Sequence, residues 1–239
     1  MVDVAERDPD ELRHDGARCA VVTGSTSGIG NAIASRLSAD GWCVIGLDKD
    51  RADDNAGFRA VTVDLNDLDG LSAALADIRA ADAVVHAAGL MQTAPLGALN
   101  RGDGAAMWRI HVEAAAVIAD ALLPKMPAGG RIVLIGSRIA AGSPGRSQYA
   151  AAKAAMVGMA RSWAVELAPR GITVNVVAPA ATETPMLGDP ARASTPPKKP
   201  PIGRYVRAEE VAALTSFLLS PEAAAITGQQ IVICGGSSI

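Results

Sequence analysis

Short runs rich in Val, Ile and Ala alternate along the chain with longer Ala-rich stretches, the pattern of a parallel sheet joined by crossover helices. Cys19–Thr23 reads as a buried strand, and Gly30–Asp40 as the helix that follows it. Further strands are expected at Val44–Asp48, Ala60–Asp64, Ala83–His86, Arg131–Gly136, Thr173–Ala178 and Gln230–Cys234. Helices are expected from about Asp67 to Arg79, Ala105 to Lys125, Tyr149 to Leu167 and Ala208 to Leu219. Seven strands with intervening helices and no linker predict one doubly wound α/β domain over 18–239, with a loose polar extension at 1–17.

Composition narrows the class. Of 239 residues, 49% are hydrophobic and 20% charged, enough apolar surface for a sizeable core. A formal net charge of −3 offers no footprint for nucleic acid. No apolar run reaches the ~18 residues of a membrane helix, so no membrane partner is expected. Cys19, Cys43 and Cys234 each sit in or beside an apolar run, as small buried side chains do, which suits a reducing cytoplasm. His14, His86 and His111 are scattered among unrelated elements, and no metal site is expected. His86, at a strand end, reads as a packed or hydrogen-bonded histidine. Five prolines and two lysines mark 188–204 as a loop after strand six, on the carboxyl side of the sheet where ligands bind; a substrate loop is expected at about 186–205.

The first strand runs into Thr23-Gly24-Ser25-Thr26-Ser27-Gly28-Ile29-Gly30, and a helix begins at its end. Glycines permit the tight turn and let backbone approach a pyrophosphate, while the helix start supplies free N–H groups. Asp48 closes strand two, placed to accept hydrogen bonds from adenosine ribose hydroxyls and to repel a 2′-phosphate. The glycine loop contains no Arg or Lys, although Lys49 and Arg51 follow Asp48; NAD is favoured, with NADP as the alternative.

Tyr149 and Lys153 lie four apart on a predicted helix and share a face, so phenol and ammonium can address one ligand. A free tyrosine titrates near pH ~10, and a fixed cation beside it favours the phenolate. A Tyr-x-x-x-Lys pair alone is common on helix surfaces. In this order, after the glycine loop and Ser137, the chain resembles a short-chain dehydrogenase/reductase from about Arg18 to Gly236. The loop matches that family's Thr-Gly-x-x-x-Gly-x-Gly element, and Ser137 stands where its substrate-orienting serine does. Asp64-Leu65, Asn175 with Pro179, Thr184 and the segment Thr227 to Gly236 resemble further family elements.

The resemblance implies a Rossmann fold and an NAD(P)-dependent oxidoreductase. Tyr149 would be its acid/base, Lys153 the residue that binds the nicotinamide ribose and lowers the tyrosine pKa, and Ser137 the holder of the substrate oxygen. Cofactor contacts would fall on Gly24, Ser27, Gly28, Ile29, Gly30, Asp48, Asp64, Leu65, Ala88, Gly89, Tyr149, Lys153, Pro179, Thr182 and Thr184. Some positions depart from the family. His86-Ala87-Ala88-Gly89 replaces Asn-Asn-Ala-Gly, leaving no asparagine amide to brace that turn. His111 aligns with the asparagine that holds a relay water beside the lysine; it either continues that relay or is a helix residue without catalytic role. Ala180 and Cys234 replace a glycine and an aspartate in ways that read as structural.

The leading expectation is hydride transfer between NAD(H) and a secondary alcohol or ketone, leaning to a cyclic alcohol, hydroxysteroid or dihydrodiol. The alternatives are an NADPH-dependent 3-oxoacyl-thioester reductase and a non-catalytic nucleotide-binding protein. Met91, Met186, Leu187 and Pro190 suggest a partly apolar substrate pocket. The Tyr149 helix is apolar nearly all round, and a homo-oligomer, dimer or tetramer, is expected from that and from the family.

Overall fold

The structure, a computed structural model, describes residues 17–50, 58–189 and 195–239. Most of the expected N-terminal extension, with His14, lies outside the described residues, as do Arg51 and Pro190.

Seven parallel strands form one sheet: β1 (Cys19–Thr23), β2 (Cys43–Asp48), β3 (Arg59–Thr62), β4 (Ala83–His86), β5 (Arg131–Ile135), β6 (Thr173–Pro179) and β9 (Gln230–Ile233). Their order across the sheet is β3-β2-β1-β4-β5-β6-β9, so the chain winds outward from β1 in both directions. Side chains alternate between two buried faces, as parallel strands covered on both sides require. Val21, Leu47, Val84, Leu134 and Val176 enter the core on one face. Val22, Val44, Val85, Val133 and Val177 enter the core on the other.

Helices α1 (Gly28–Ala39) and α6 (Ala208–Leu219) pack on each other over the second face through Ile33, Leu37, Val211 and Leu218. The first face is covered by α2 (Leu68–Ala76), α4 (Ala114–Leu122) and α5 (Ser147–Leu167). Local chemistry sets several boundaries. Asp67 caps α2 by accepting the Gly70 N–H at 3.1 Å, and Lys125 donates to the carbonyls of Leu75 and Ala76 at its far end.

The expected long helix from Ala105 to Lys125 is neither so short nor so regular. It starts as α3 (Arg101–Trp108), where the Asn100 side chain accepts the Asp103 N–H at 3.1 Å. It then widens into a π-helical turn, Arg109–Glu113, in which the Ala114 N–H reaches back five residues to the Arg109 carbonyl. Only then does α4 begin.

A second, two-stranded parallel sheet was not expected. It joins β7 (Thr182–Glu183) to β8 (Val206–Arg207) and pinches together the two ends of the proline-rich loop. No helix among the described residues is long and apolar enough to cross a membrane.

Leu134 is 1% exposed at the centre of the sheet. Leu134→Ala is expected to lower unfolding free energy by about 2–5 kcal/mol, read from the urea midpoint at unchanged slope.

Candidate active site

The carboxyl ends of β1, β4, β5 and β6 open onto one cleft. Its walls carry Ile29 from the glycine loop, Gly89 and Met91 after β4, Ser137 after β5, Tyr149 and Lys153 from α5, and Pro179, Thr182 and Thr184 beyond β6. His111, from the π-helical turn, lines the same cleft. Residues far apart in sequence meet there because parallel strands all end on the same side.

The glycine loop is drawn tight. The Gly24 N–H donates to Leu47 O at 2.9 Å and the Thr26 N–H to Asp48 Oδ2 at 3.0 Å, tying the loop to β2. A Cβ on Gly24, which has φ +69°, would stand 2.9 Å from the Ala88 backbone, and one on Gly30 would stand 2.0 Å from Gly24 O. Ser27 begins α1 without a side-chain cap, so the first N–H groups of the helix remain for an external acceptor. A cradle of bare backbone followed by an uncapped helix start fits a dinucleotide pyrophosphate. Asp48 is half-buried, each of its oxygens accepting one backbone N–H, from Thr26 and from Asp50. Further lone pairs remain for hydroxyl donors. Asp64 turns back on Asn66, and Leu65 is packed into the core. Ala88 also packs against the core, between the cleft residues Ala87 and Gly89.

Thr23 is the hub of the site. Its Oγ1 accepts the N–H groups of Ala87 and Ala88 at 3.0 and 2.9 Å and lies 3.1 Å from His86 Nδ1. His86 Nε2 lies 2.9 Å from the Ile110 carbonyl, a pure acceptor, so Nε2 carries the proton. Nδ1 is then the acceptor, and the Thr23 hydroxyl donates to it. The expected loss of bracing at this turn is therefore corrected: His86 does the bracing and carries it on to the π-helical turn.

His111 has the same tautomer for the same reason, with Nε2 at 2.8 Å from Leu90 O. Its Nδ1 is buried and meets no hydrogen-bond partner among the described residues. The ring stands edge-on to Tyr149, centroids 5.5 Å apart, and rests on Gly89, where a Cβ would come within 2.3 Å of the imidazole. Ser137 Oγ accepts the Ile139 N–H at 3.2 Å, leaving its own proton to donate. Lys153 donates to Ile135 O at 2.6 Å and its Nζ lies 5.8 Å from the centre of the Tyr149 ring.

Burial dominates the electrostatics. It pulls Lys153 down to about 7, poised between ammonium and amine near neutrality. His86 is held down to about 3 by burial first and then by the Lys153 charge, against the pull of the Ile110 carbonyl. His111 is likewise held well below its ordinary value by burial, then by Lys153, outweighing its bond to Leu90 O. Both imidazoles are neutral at working pH.

Comparison with known proteins agrees with this geometry. The profile described as enoyl-(acyl carrier protein) reductase matches residues 24–238. The 3-oxoacyl-[acyl-carrier-protein] reductase FabG of Thermotoga maritima is 32% identical over 94% of this chain and 99% of its own length. FabG of Escherichia coli K12 is 35% identical over 92% of this chain and 96% of its own. Among solved structures, a short chain dehydrogenase from Burkholderia cenocepacia in complex with NADP superposes with TM-score 0.84 and 34% identity, covering 93% of this chain and 98% of that one. The chain belongs to the short-chain dehydrogenase/reductase family. It is an NAD(P)-dependent oxidoreductase of that family, with the single-domain Rossmann fold expected of it.

Against the short-chain dehydrogenase/reductase pattern, sequence reasoning missed Thr23 as a hub and overlooked Arg138, Arg146 and Ser237 on the cleft walls. Arg138 adjoins Ser137 and Arg146 precedes Tyr149 by three residues, so nearness to the motifs was the available signal. Pro197 and Lys198 bring the proline-rich loop to the cleft.

Neutral buried histidines set an acid limit. Because the folded pKa of His86 lies below the ordinary 6.5, the unfolded chain binds the extra proton first. The His86 contribution to stability is full above pH 6.5 and falls as pH drops from there toward 3. His86 alone is expected to contribute a loss of about 2 kcal/mol by pH ~5, and His86→Asn should flatten that limb in denaturation curves taken across pH.

Proposed function

We propose that Tyr149, Lys153 and Ser137 catalyse hydride transfer between a nicotinamide cofactor and a secondary alcohol or ketone. The observation that carries this reading is that the three converge on one cleft with Ile29 of the glycine loop. The glycine loop would hold the pyrophosphate, Asp48 the adenosine ribose, and Thr182 with Thr184 the nicotinamide end. A bound nicotinamide supplies the hydride acceptor or donor.

The protein's part is orientation and proton handling. Ser137, its oxygen lone pair already satisfied by Ile139, donates to the substrate oxygen. Tyr149 gives that oxygen its proton in reduction and removes it in oxidation. Lys153 spends one N–H on Ile135 O, and as an ammonium keeps two donors for a ribose hydroxyl and a water. His111 Nδ1 is an acceptor with a fixed direction. Its Nε2–H is committed to a backbone carbonyl and its basicity is suppressed, so His111 positions a water rather than passing a proton onward.

Asp48 supports NAD as the preferred cofactor, because a carboxylate held by Thr26 and Asp50 would face a 2′-phosphate with like charge. A second reading, reduction of a 3-oxoacyl thioester with NADPH, is favoured by the FabG relatives and by the Burkholderia structure solved with NADP. The outer faces of α4 and α5, with Val117, Asp120, Trp163 and Glu166 around one groove, are the surface through which a homo-oligomer would form.

Tyr149→Phe is expected to lower kcat by about 10²–10⁴-fold while NAD(H) still binds, followed by absorbance and by cofactor fluorescence. The ratio of kcat/KM with NADH to that with NADPH decides the cofactor. A ratio above one that falls in Asp48→Ser supports NAD; strong turnover with NADPH and little with NADH supports the thioester-reductase reading.

A further inference from the structure

Every charged side chain among the described residues that line the cleft is a cation: Lys153, Arg138, Arg146 and Lys198, with no Asp or Glu among them. The chain as a whole is balanced the other way, with 25 acidic residues against 22 Lys and Arg. Lys153 belongs to the chemistry already described. The other three line the cleft together with the apolar Met91, Ile139 and Met186.

Arg138 follows Ser137 directly and opens the 3₁₀ turn Arg138–Ala141, which the bond from Ile139 N–H to Ser137 Oγ fixes. Its guanidinium is thus rooted one residue from the hydroxyl that would hold the reacting oxygen. Neither Arg138, half-buried, nor Lys198, exposed at the rim, is engaged by a hydrogen bond or ion pair to any described residue. Arg146 has a different task. It donates to Thr195 O at 2.6 Å, to Thr195 Oγ1 at 3.3 Å and to Ser143 Oγ at 3.2 Å. It therefore fastens the returning loop and holds Pro197 and Lys198 over the cleft, while bringing a third positive charge.

We propose that Arg138 and Lys198, with Arg146 behind them, form an anion subsite, and that the substrate is an alcohol or ketone bearing a carboxylate or phosphate close to its reacting carbon. This rests on the oxidoreductase reading of the same cleft. A guanidinium presents two parallel donors that match a carboxylate or phosphate edge. Like charges gathered in a concave site raise the local concentration of anions and repel one another until one arrives. A neutral cyclic alcohol or hydroxysteroid would desolvate these cations and offer nothing in return. The anion would also orient the substrate, fixing which face of its carbonyl meets the hydride.

The test compares matched pairs on the full-length protein with both cofactors: acetoacetate against methyl acetoacetate, and dihydroxyacetone phosphate against dihydroxyacetone. In at least one pair the anion is expected to have the higher kcat/KM, by roughly tenfold or more, and the pair that shows it separates carboxylate from phosphate. Arg138→Gln should cut that anion-to-neutral ratio by roughly tenfold, with Arg138→Lys in between and Lys198→Gln smaller. Because the ratio is internal to each variant, partial unfolding does not imitate it. Neutral members turned over as well as or better than both anions would overturn the subsite and leave the oxidoreductase reading standing. If nothing is turned over, calorimetric titration of acetoacetate and dihydroxyacetone phosphate decides: binding of either that is lost in Arg138→Gln supports the subsite, and no binding overturns it.

Discussion

The bonds radiating from Thr23 hold the catalytic end of this molecule together. One hydroxyl at the tip of β1 accepts two backbone N–H groups from the turn after β4 and donates to His86, whose other nitrogen reaches the π-helical turn. Three segments well apart in sequence are thereby joined, two through the Thr23 hydroxyl and the third through the His86 ring. Gly24, the next residue, can approach the Ala88 backbone only because that turn is held where it is. The glycine loop, the floor of the cleft and the mount of His111 share a single anchor, buried where water cannot compete for its bonds.

That anchor sits among basic groups, with no carboxylate among the described residues that line the cleft beside it. Lys153 and the two histidines lie together in the interior, and the fold tolerates them by keeping the histidines neutral and the lysine poised between its charged and neutral forms. An uncharged amide at either histidine position would be indifferent to pH. Histidine at 86 and at 111 makes the network conditional on proton concentration, a trade of acid tolerance for rigidity. Where an asparagine has a rotatable amide, each imidazole here has one nitrogen committed to a carbonyl, so the other faces a defined direction.

The parallel sheet, the glycine loop and the Tyr149–Lys153 pair were legible because each is written in a continuous stretch: buried runs, a strand–turn–helix, a four-residue step. The β3 strand ends at Thr62 rather than Asp64, a difference of the size expected at an edge. Other features left no local trace. The Thr23–His86 bond spans 63 residues, and neither residue type announces a partner at that range. Arg109–Glu113 contains no Gly or Pro to mark a disturbed helix, so only the packing of His111 against Gly89 betrays it. Arg138 and Arg146 look like ordinary surface arginines until the strand ends bring them onto one wall.

The π-helical turn deserves a different description, as one residue too many in a rod. An α-helix advances by about 100° per residue, and the wider turn absorbs one surplus residue, so the positions after it face about that angle away from where a regular helix of the same sequence would put them. Met107, before the turn, packs with Tyr149 and Met91 beside the site, whereas Ala114, Ile118 and Leu122, after it, belong to the main core. One segment thus serves two interiors that a uniform helix would merge. Without that widening, the same residues wound as a regular α-helix would turn the half after Glu113 by about 100° away from the main core.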